Sequence, residues 1–132
     1  MTRERRVLLV DDDADFTDAV RLTLEAHGCR VFVAHTREEA LQTLRQERVD
    51  VAVLDMMMDE PDAGAMLAHS LRRQPELKDI PVVLVTSVRE KTGYGPAPGA
   101  PEPREWLGVD AWLDKPVSPQ ALLDTIEGLL DG

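Results

Sequence analysis

The sequence lacks the usual features of secreted and membrane-spanning proteins. Its single cysteine, Cys29, cannot form a disulfide within the chain, which fits a reducing compartment. No uncharged apolar run approaches the roughly 18 residues that a transmembrane helix requires. The basic N-terminus is followed by too few apolar residues for a secretory signal. We therefore expect a cytoplasmic protein that does not insert into a membrane.

Basic residues are also scarce, since 15 Lys and Arg are outnumbered by 25 Asp and Glu and the net charge is −10. An acidic domain repels the phosphate backbone, so we expect no direct binding to DNA or RNA. The sequence has neither a zinc-ligand spacing nor the GxxxxGK(S/T) loop of nucleotide-binding proteins. Its 132 residues can bury a real core, and we expect one domain over residues 1–132, with a core from about 6 to 131.

What the sequence does contain is an alternation of short apolar runs with amphipathic segments. The runs predict buried strands at residues 7–10, 31–34, 51–54, 80–85 and 111–113. Apolar residues at helical spacing in 16–24, before the capping Gly28, predict a first helix, and Thr36 begins a capping box for a second. This alternation indicates an α/β fold with a parallel sheet covered on both faces.

Two more helices and one loop complete the predicted order. Residues 64–74, which end at Pro75, predict a helix with one face formed by Met66, Leu67, Ser70 and Leu71. Ser118 and Pro119 are typical of the N-cap and first position of a last helix. Between them, residues 88–105 hold four prolines and three glycines and predict a loop.

Polar residues follow the predicted strands at the edge where parallel α/β sheets bind their ligands. They are Asp11, Asp12, Asp13, Asp55, Thr86, Ser87 and Lys115. Clustered carboxylates repel one another, and a hard divalent cation such as Mg²⁺ neutralises them. A lysine can contact a phosphate as a point charge, and a threonine hydroxyl can donate to a phosphoryl oxygen. Together these groups favour phosphoryl transfer, which needs mainly positioning and charge neutralisation.

Each of these residues alone has an ordinary structural explanation. An Asp after a strand is more often a helix N-cap than a ligand, and Lys115 alone is usually a solvated charge. Thr86 is more often structural, and the methionines at 56–58 more often pack than act. The functional signal is the joint placement of these residues after strands one, three, four and five.

Four motifs carry a family resemblance: VLLVDDD, VAVLDMMM, VVLVTS and WLDKPV. Through them the sequence resembles the response regulator receiver family of two-component signalling, over roughly residues 6–130. The resemblance implies a doubly wound, flavodoxin-like parallel sheet of five strands in the order 2-1-3-4-5. It also places the Pro/Gly-rich segment 88–105 where the family has its fourth helix, which we expect to be replaced or shortened here.

The resemblance assigns an acceptor and a metal site. It implies that a partner histidine kinase or phosphotransfer protein phosphorylates the carboxylate of Asp55. Asp11 and Asp12 match the family's acidic pair, and Asp13 falls one place outside it. Mg²⁺ is the implied cofactor, with Asp12, Asp55 and the backbone carbonyl of Met57 as ligands and Asp11 in the same site.

The resemblance also implies how the switch operates. Lys115, whose bond to Pro116 is expected to be cis, should contact the phosphoryl group, and Thr86 should be the switch hydroxyl. Trp112 occupies the position of the family's switch aromatic, most often Tyr or Phe. Such a domain is a signalling switch rather than an enzyme, although it can promote its own dephosphorylation. It acts on a downstream protein target, and homodimerisation is left open.

The sequence departs from the family pattern in two places. Asp59 replaces a usual proline, and Gly64 follows Asp55 by nine residues where the family has eight. Thr86 and Lys115 are 29 residues apart, several more than usual, because segment 88–105 lies between them. The output surface that the fourth helix helps to form is therefore expected to differ, while the phosphorylation site is complete.

Two other functions compete with this interpretation. One is a receiver-like interaction module that does not cycle phosphate, against which the complete set of site residues argues. The other is a phosphohydrolase of the haloacid dehalogenase type, which needs a second acid two residues after its nucleophile, where this chain has Met57. Because the sequence given ends just past the last predicted helix, we expect either a single-domain regulator or a domain excised from a longer protein.

Overall fold

The structure, a computed structural model, describes residues 4–55, 63–86, 109–114 and 117–131. Their strands and helices are β1 (Arg6–Val10), α1 (Ala14–Ala26), β2 (Arg30–Ala34), α2 (Arg37–Gln46), β3 (Val51–Leu54), α3 (Ala63–Arg72), β4 (Val82–Thr86), β5 (Ala111–Asp114) and α4 (Pro119–Asp131). Strands and helices alternate along these residues from β1 to β4, and the next described elements are β5 and the last helix.

All five strands run parallel in one sheet, in the order β2-β1-β3-β4-β5. This confirms the predicted flavodoxin-like fold. In the register, Val10 at the end of β1 pairs with Ala34 on one side and with Leu54 on the other. The last residues of three neighbouring strands therefore lie side by side, and the residues that follow them share one edge of the sheet.

Helices cover both faces of the sheet, which explains why the strands are continuous apolar runs rather than alternating ones. Leu8, Leu54 and Leu84 belong to the core on the side of α2 and α3. Val53 and Val83 belong to the core on the side of α1 and α4. Along β1, β3 and β4, successive side chains alternate between these two layers, so the central strands are held from two sides.

The helix ends follow the predicted local signals. Gly28, just beyond α1, has φ of +85°, a conformation that side chains other than glycine rarely adopt. The Thr36 hydroxyl accepts from the Glu39 N–H at 3.1 Å, as an N-cap does. Ser118 caps α4, since its hydroxyl accepts from the Ala121 N–H at 3.1 Å.

Two predicted details are wrong. Met66, predicted on the same face of α3 as Leu67 and Leu71, is 40% exposed, whereas Leu67 and Leu71 are buried together with Ala68. The fourth strand begins at Val82 and not at residue 80. The N–H of Ile80 donates to the Leu77 carbonyl at 3.1 Å, so this apolar residue belongs to the turn before the strand.

Several predictions concern residues outside the described ranges. The loop predicted at residues 88–105 lies outside them. The same holds for the longer turn predicted around residue 59 and for the cis bond predicted between Lys115 and Pro116. The label α4 therefore denotes the helix Pro119–Asp131, which is not the family's fourth helix. Among the described helices, none has the length and apolar composition needed to cross a membrane.

Candidate functional site

An acidic cluster lies at the carboxyl edge of the sheet, directly beyond β1 and β3. The Asp55 N–H donates to the Val10 carbonyl at 2.9 Å, and the Asp11 N–H donates to the Ala34 carbonyl at 3.1 Å. The hydrogen bonds of the sheet thus continue one residue past the strands and fix the backbone of both acids. Asp11 is 1% exposed and Asp55 6%, whereas Asp12 is exposed.

Three carboxylates converge at this edge. One carboxylate oxygen from each of Asp11, Asp12 and Asp55 lies within 4.8 Å of the other two. Neighbouring carboxylates repel one another, so an arrangement of this kind is suited to a cation with a preference for oxygen ligands. The exposed Asp12 borders solvent, which leaves room for a further ligand to approach the two buried acids.

The turn between β1 and α1 separates Asp13 from this cluster. Its N–H donates to Asp11 Oδ1 at 2.9 Å, and its own carboxylate accepts from the Phe16 N–H at 3.2 Å. Asp13 is therefore the N-cap of α1, the ordinary structural role for an Asp that follows a strand. Its carboxylate is not one of the three that converge at this edge.

Two of the other predicted site residues, Thr86 and Trp112, belong to described strands. Thr86 is the last residue of β4, in register with Asp114 of β5, so its backbone lies at the same edge as the acids. Trp112 pairs in register with Leu84 and packs, partly buried, against the core on the α2 and α3 side. Met57 and Lys115 lie outside the described residues.

Sequence reasoning missed one residue at this edge, His35. Its Nδ1 is 3.0 Å from the main-chain oxygen of Asp11, and its ring is exposed. His35 directly follows β2, so the rule that selected the residues after the other strands would have selected it as well.

Comparison with known proteins identifies the family. The sequence matches the family model of the response regulator receiver domain over residues 7–127. The chain belongs to this family. It is 33% identical over 125 residues to the transcriptional regulatory protein GlrR of Escherichia coli K12, covering 95% of this chain but 26% of GlrR. The chain thus spans about a quarter of that relative.

Other relatives match over nearly their whole length. The protein PilH of Pseudomonas aeruginosa is 33% identical over 131 residues, which cover 96% of this chain and 98% of PilH. The structure of the chemotaxis response regulator CheY4 of Vibrio cholerae superposes with a TM-score of 0.81 at 28% identity. This match covers 97% of this chain and 100% of CheY4. As receiver domains, such proteins are signalling switches rather than classical enzymes.

Proposed function

We propose that this receiver domain is a phosphoacceptor of a two-component system. A histidine kinase or phosphotransfer protein phosphorylates Asp55 in the presence of Mg²⁺, and the change alters a surface that binds a downstream protein. The observation that carries the proposal is the convergence of Asp11, Asp12 and Asp55, with carboxylate oxygens within 4.8 Å of one another. Membership in the family supplies the kind of partner.

The acidic cluster fits the implied metal ion. Mg²⁺ binds oxygen ligands, usually through one or two carboxylates, and keeps several waters or phosphate oxygens. Asp12 and Asp55, together with the main-chain carbonyl of Met57, would hold the ion, with Asp11 beside them. When bound, it supplies positive charge that offsets the carboxylates and the incoming phosphoryl oxygens.

Asp55 is the nucleophile in this proposal. A carboxylate oxygen forms a bond to phosphorus while the bond from phosphorus to the donor's imidazole nitrogen breaks, and that nitrogen keeps the electron pair. The backbone of Asp55 is held by its hydrogen bond to Val10, so the carboxylate is positioned before the donor arrives. Attack of water on the phosphorus later returns Asp55 and inorganic phosphate.

Lys115 and Thr86 complete the proposed site. The ammonium group of Lys115 contacts a phosphoryl oxygen as a point charge, and the Thr86 hydroxyl donates a hydrogen bond to another. Support for these two roles comes from their matches to the family motifs and, for Thr86, from a backbone position at the carboxyl end of β4.

The competing module that does not cycle phosphate has less support. Such a module has no need of three converging carboxylates, since a cluster of this kind costs stability unless a cation neutralises it. A dehalogenase-type hydrolase conflicts with the receiver-domain match over residues 7–127. The phosphoacceptor is therefore the function that the site supports best.

Labelling with acetyl phosphate and Mg²⁺ tests this function. Asp55→Asn should abolish labelling, because an amide cannot act as the nucleophile, and the fold should survive the nearly isosteric change. Asp13→Asn is a matched control: it makes the same carboxylate-to-amide change nearby and keeps a good N-cap, so it should label normally. Wild-type protein that is folded but takes no label would favour the non-cycling module, and undiminished labelling of Asp55→Asn would reject Asp55 as acceptor.

A further inference from the structure

His35 joins the start of α2 to the loop that carries the acidic pair. Its Nδ1 lies 3.0 Å from the Asp11 main-chain oxygen, and its own N–H donates to Glu39 Oε1 at 2.7 Å. A main-chain oxygen can only accept, so Nδ1 carries the proton and donates. The Thr36 hydroxyl caps α2 at the next residue, which fixes the backbone on the other side of His35.

The oxygen that His35 holds belongs to the peptide group between Asp11 and Asp12. Because a peptide group is planar, fixing its oxygen also fixes the nitrogen of Asp12 and the direction in which that residue leaves β1. The preceding peptide group is held as well, through the Asp11 N–H and the Ala34 carbonyl at 3.1 Å. Residues at the end of β2 therefore hold both peptide groups that flank Asp11.

Asp12 depends on this support more than Asp11 does. The Asp11 carboxylate is buried and accepts from the Asp13 N–H, whereas the Asp12 side chain is exposed to solvent. Its orientation toward Asp11 and Asp55 must come mainly from its backbone. A change in the tilt of the Asp11–Asp12 peptide group would move the Asp12 carboxylate away from the other two.

We propose that His35 is a positioning residue for the metal site, which holds the Asp11–Asp12 peptide group so that the Asp12 carboxylate faces Asp11 and Asp55. This inference rests on the proposed Mg²⁺ site. His35 does not ligate the ion; it acts through the main-chain oxygen of Asp11. Outer hydrogen bonds of this kind orient the ligands of many metal sites.

Titration with Mg²⁺, followed through the NMR signals of the Asp12 and Asp13 amides, measures this role without phosphorylation. His35→Leu removes the donor and should weaken Mg²⁺ binding about tenfold. This is the low end of the loss in metal affinity that follows removal of a group hydrogen-bonded to a metal ligand. His35→Asn should bind within about twofold of wild type, since its amide nitrogen is as many bonds from Cα as His Nδ1 and can donate the same hydrogen bond.

His27→Leu is the matched control. His27 Nδ1 also lies close to a main-chain oxygen, that of Thr23 at 2.9 Å, but at the far end of α1, a helix about 20 Å long. This variant should lose some thermal stability and bind Mg²⁺ as wild type does. If His35→Leu does not fold, His35→Ala removes the same donor and should show the same weakening.

The outcomes separate this inference from the proposed function. A wild-type protein whose Asp12 and Asp13 amides do not respond to Mg²⁺ overturns the metal site itself. A wild-type response with unchanged affinity in the folded His35→Leu or His35→Ala variant overturns the role of His35 alone. Equal weakening in His35→Asn and His35→Leu also overturns it, because the effect would then not depend on the hydrogen-bond donor.

Discussion

The main-chain N–H of Asp13 donates to the carboxylate of Asp11 at 2.9 Å, so the first and third of three adjacent acids are tied together. This contact holds the turn in which Asp12 lies between them. The carboxylate of Asp13 in turn accepts a hydrogen bond from the Phe16 N–H in the first turn of α1. Acids that look equivalent in the sequence are therefore different in the fold: one buried, one exposed at the cluster, and one a helix cap.

The first prediction follows from this division. Asp12→Ala should weaken Mg²⁺ binding and slow phosphorylation, because a proposed ligand is lost. Asp13→Ala should leave Mg²⁺ binding close to wild type but lower the free energy of unfolding by about 1 kcal/mol, as loss of an N-cap does. Mg²⁺ titration and urea unfolding of both variants measure the two effects. If Asp13→Ala weakened Mg²⁺ binding more than Asp12→Ala did, the assignment of Asp11 and Asp12 as the acidic pair would be wrong by one residue.

The arrangement of the sheet could be predicted from the sequence because its strands are buried on both faces. Such strands appear as uninterrupted apolar runs, and the runs at residues 51–54 and 7–10 match β3 and most of β1. Gly28 and Ser118 also acted as predicted, since a positive φ and a cap depend on one or two residues. The residues next to each helix end were therefore sufficient to predict it.

Contacts between distant parts of the chain could not be predicted. Met66 is apolar and is predicted on the same face of α3 as Leu67 and Leu71, but the way α3 packs leaves it 40% exposed. In the predicted capping box the Glu39 carboxylate would accept from the Thr36 N–H, but it accepts from the His35 N–H instead. The contact between His35 and Asp11 joins residues 24 positions apart, and no spacing in the sequence indicates it.

A second prediction concerns the ion pair between Arg72 and Asp110, which ties the end of α3 to the strands beyond it. Arg72 Nη2 donates to Asp110 Oδ2 at 2.9 Å, and the same oxygen accepts from the Val82 N–H at 2.8 Å. Both side chains are 17% exposed. Asp110→Ala should lower the free energy of unfolding by about 2 kcal/mol, because a half-buried cation and a strand N–H both lose an acceptor.

The exposed pair of Arg21 and Glu25 on α1 provides the comparison. Glu25→Ala should lower the free energy of unfolding by no more than about 0.5 kcal/mol, as is usual for a solvated pair on a helix. Urea unfolding followed by circular dichroism measures both variants. A loss for Asp110→Ala as small as that for Glu25→Ala would show that the Arg72 contacts contribute little.

A third prediction concerns Cys29. This residue is 7% exposed, and burial raises the pKa of its thiol above the usual value. The reactive species is the thiolate, so iodoacetamide at pH 8 should modify the folded protein more than about tenfold more slowly than the unfolded one. Mass spectrometry over time measures the rate. Modification of the folded protein as fast as in denaturant would mean that the region around α1 and β2 opens readily.

The last prediction concerns how phosphorylation is read, through Thr86 and Trp112. Trp112 on β5 is in register with Leu84, two residues before Thr86 on β4, and it is partly buried against the α2 and α3 side of the core. We propose that the Thr86 hydroxyl moves toward the phosphoryl group on Asp55. The space beside β4 would then change, and with it the environment of the indole.

Beryllofluoride with Mg²⁺, a mimic of the phosphoryl group, should therefore alter the fluorescence of Trp112. A Trp106→Phe background isolates this signal, because the chain has two tryptophans. A ligand shifts an equilibrium only through a difference in its interactions with the two states, so the response should shrink strongly in Thr86→Ala if the hydroxyl provides that difference. Thr86→Ser keeps the hydroxyl and should retain most of the response. Binding of the mimic, detected by ¹⁹F NMR, without any change in Trp112 would show that the signal leaves the site by another route, for which segment 88–105 is the first candidate to test.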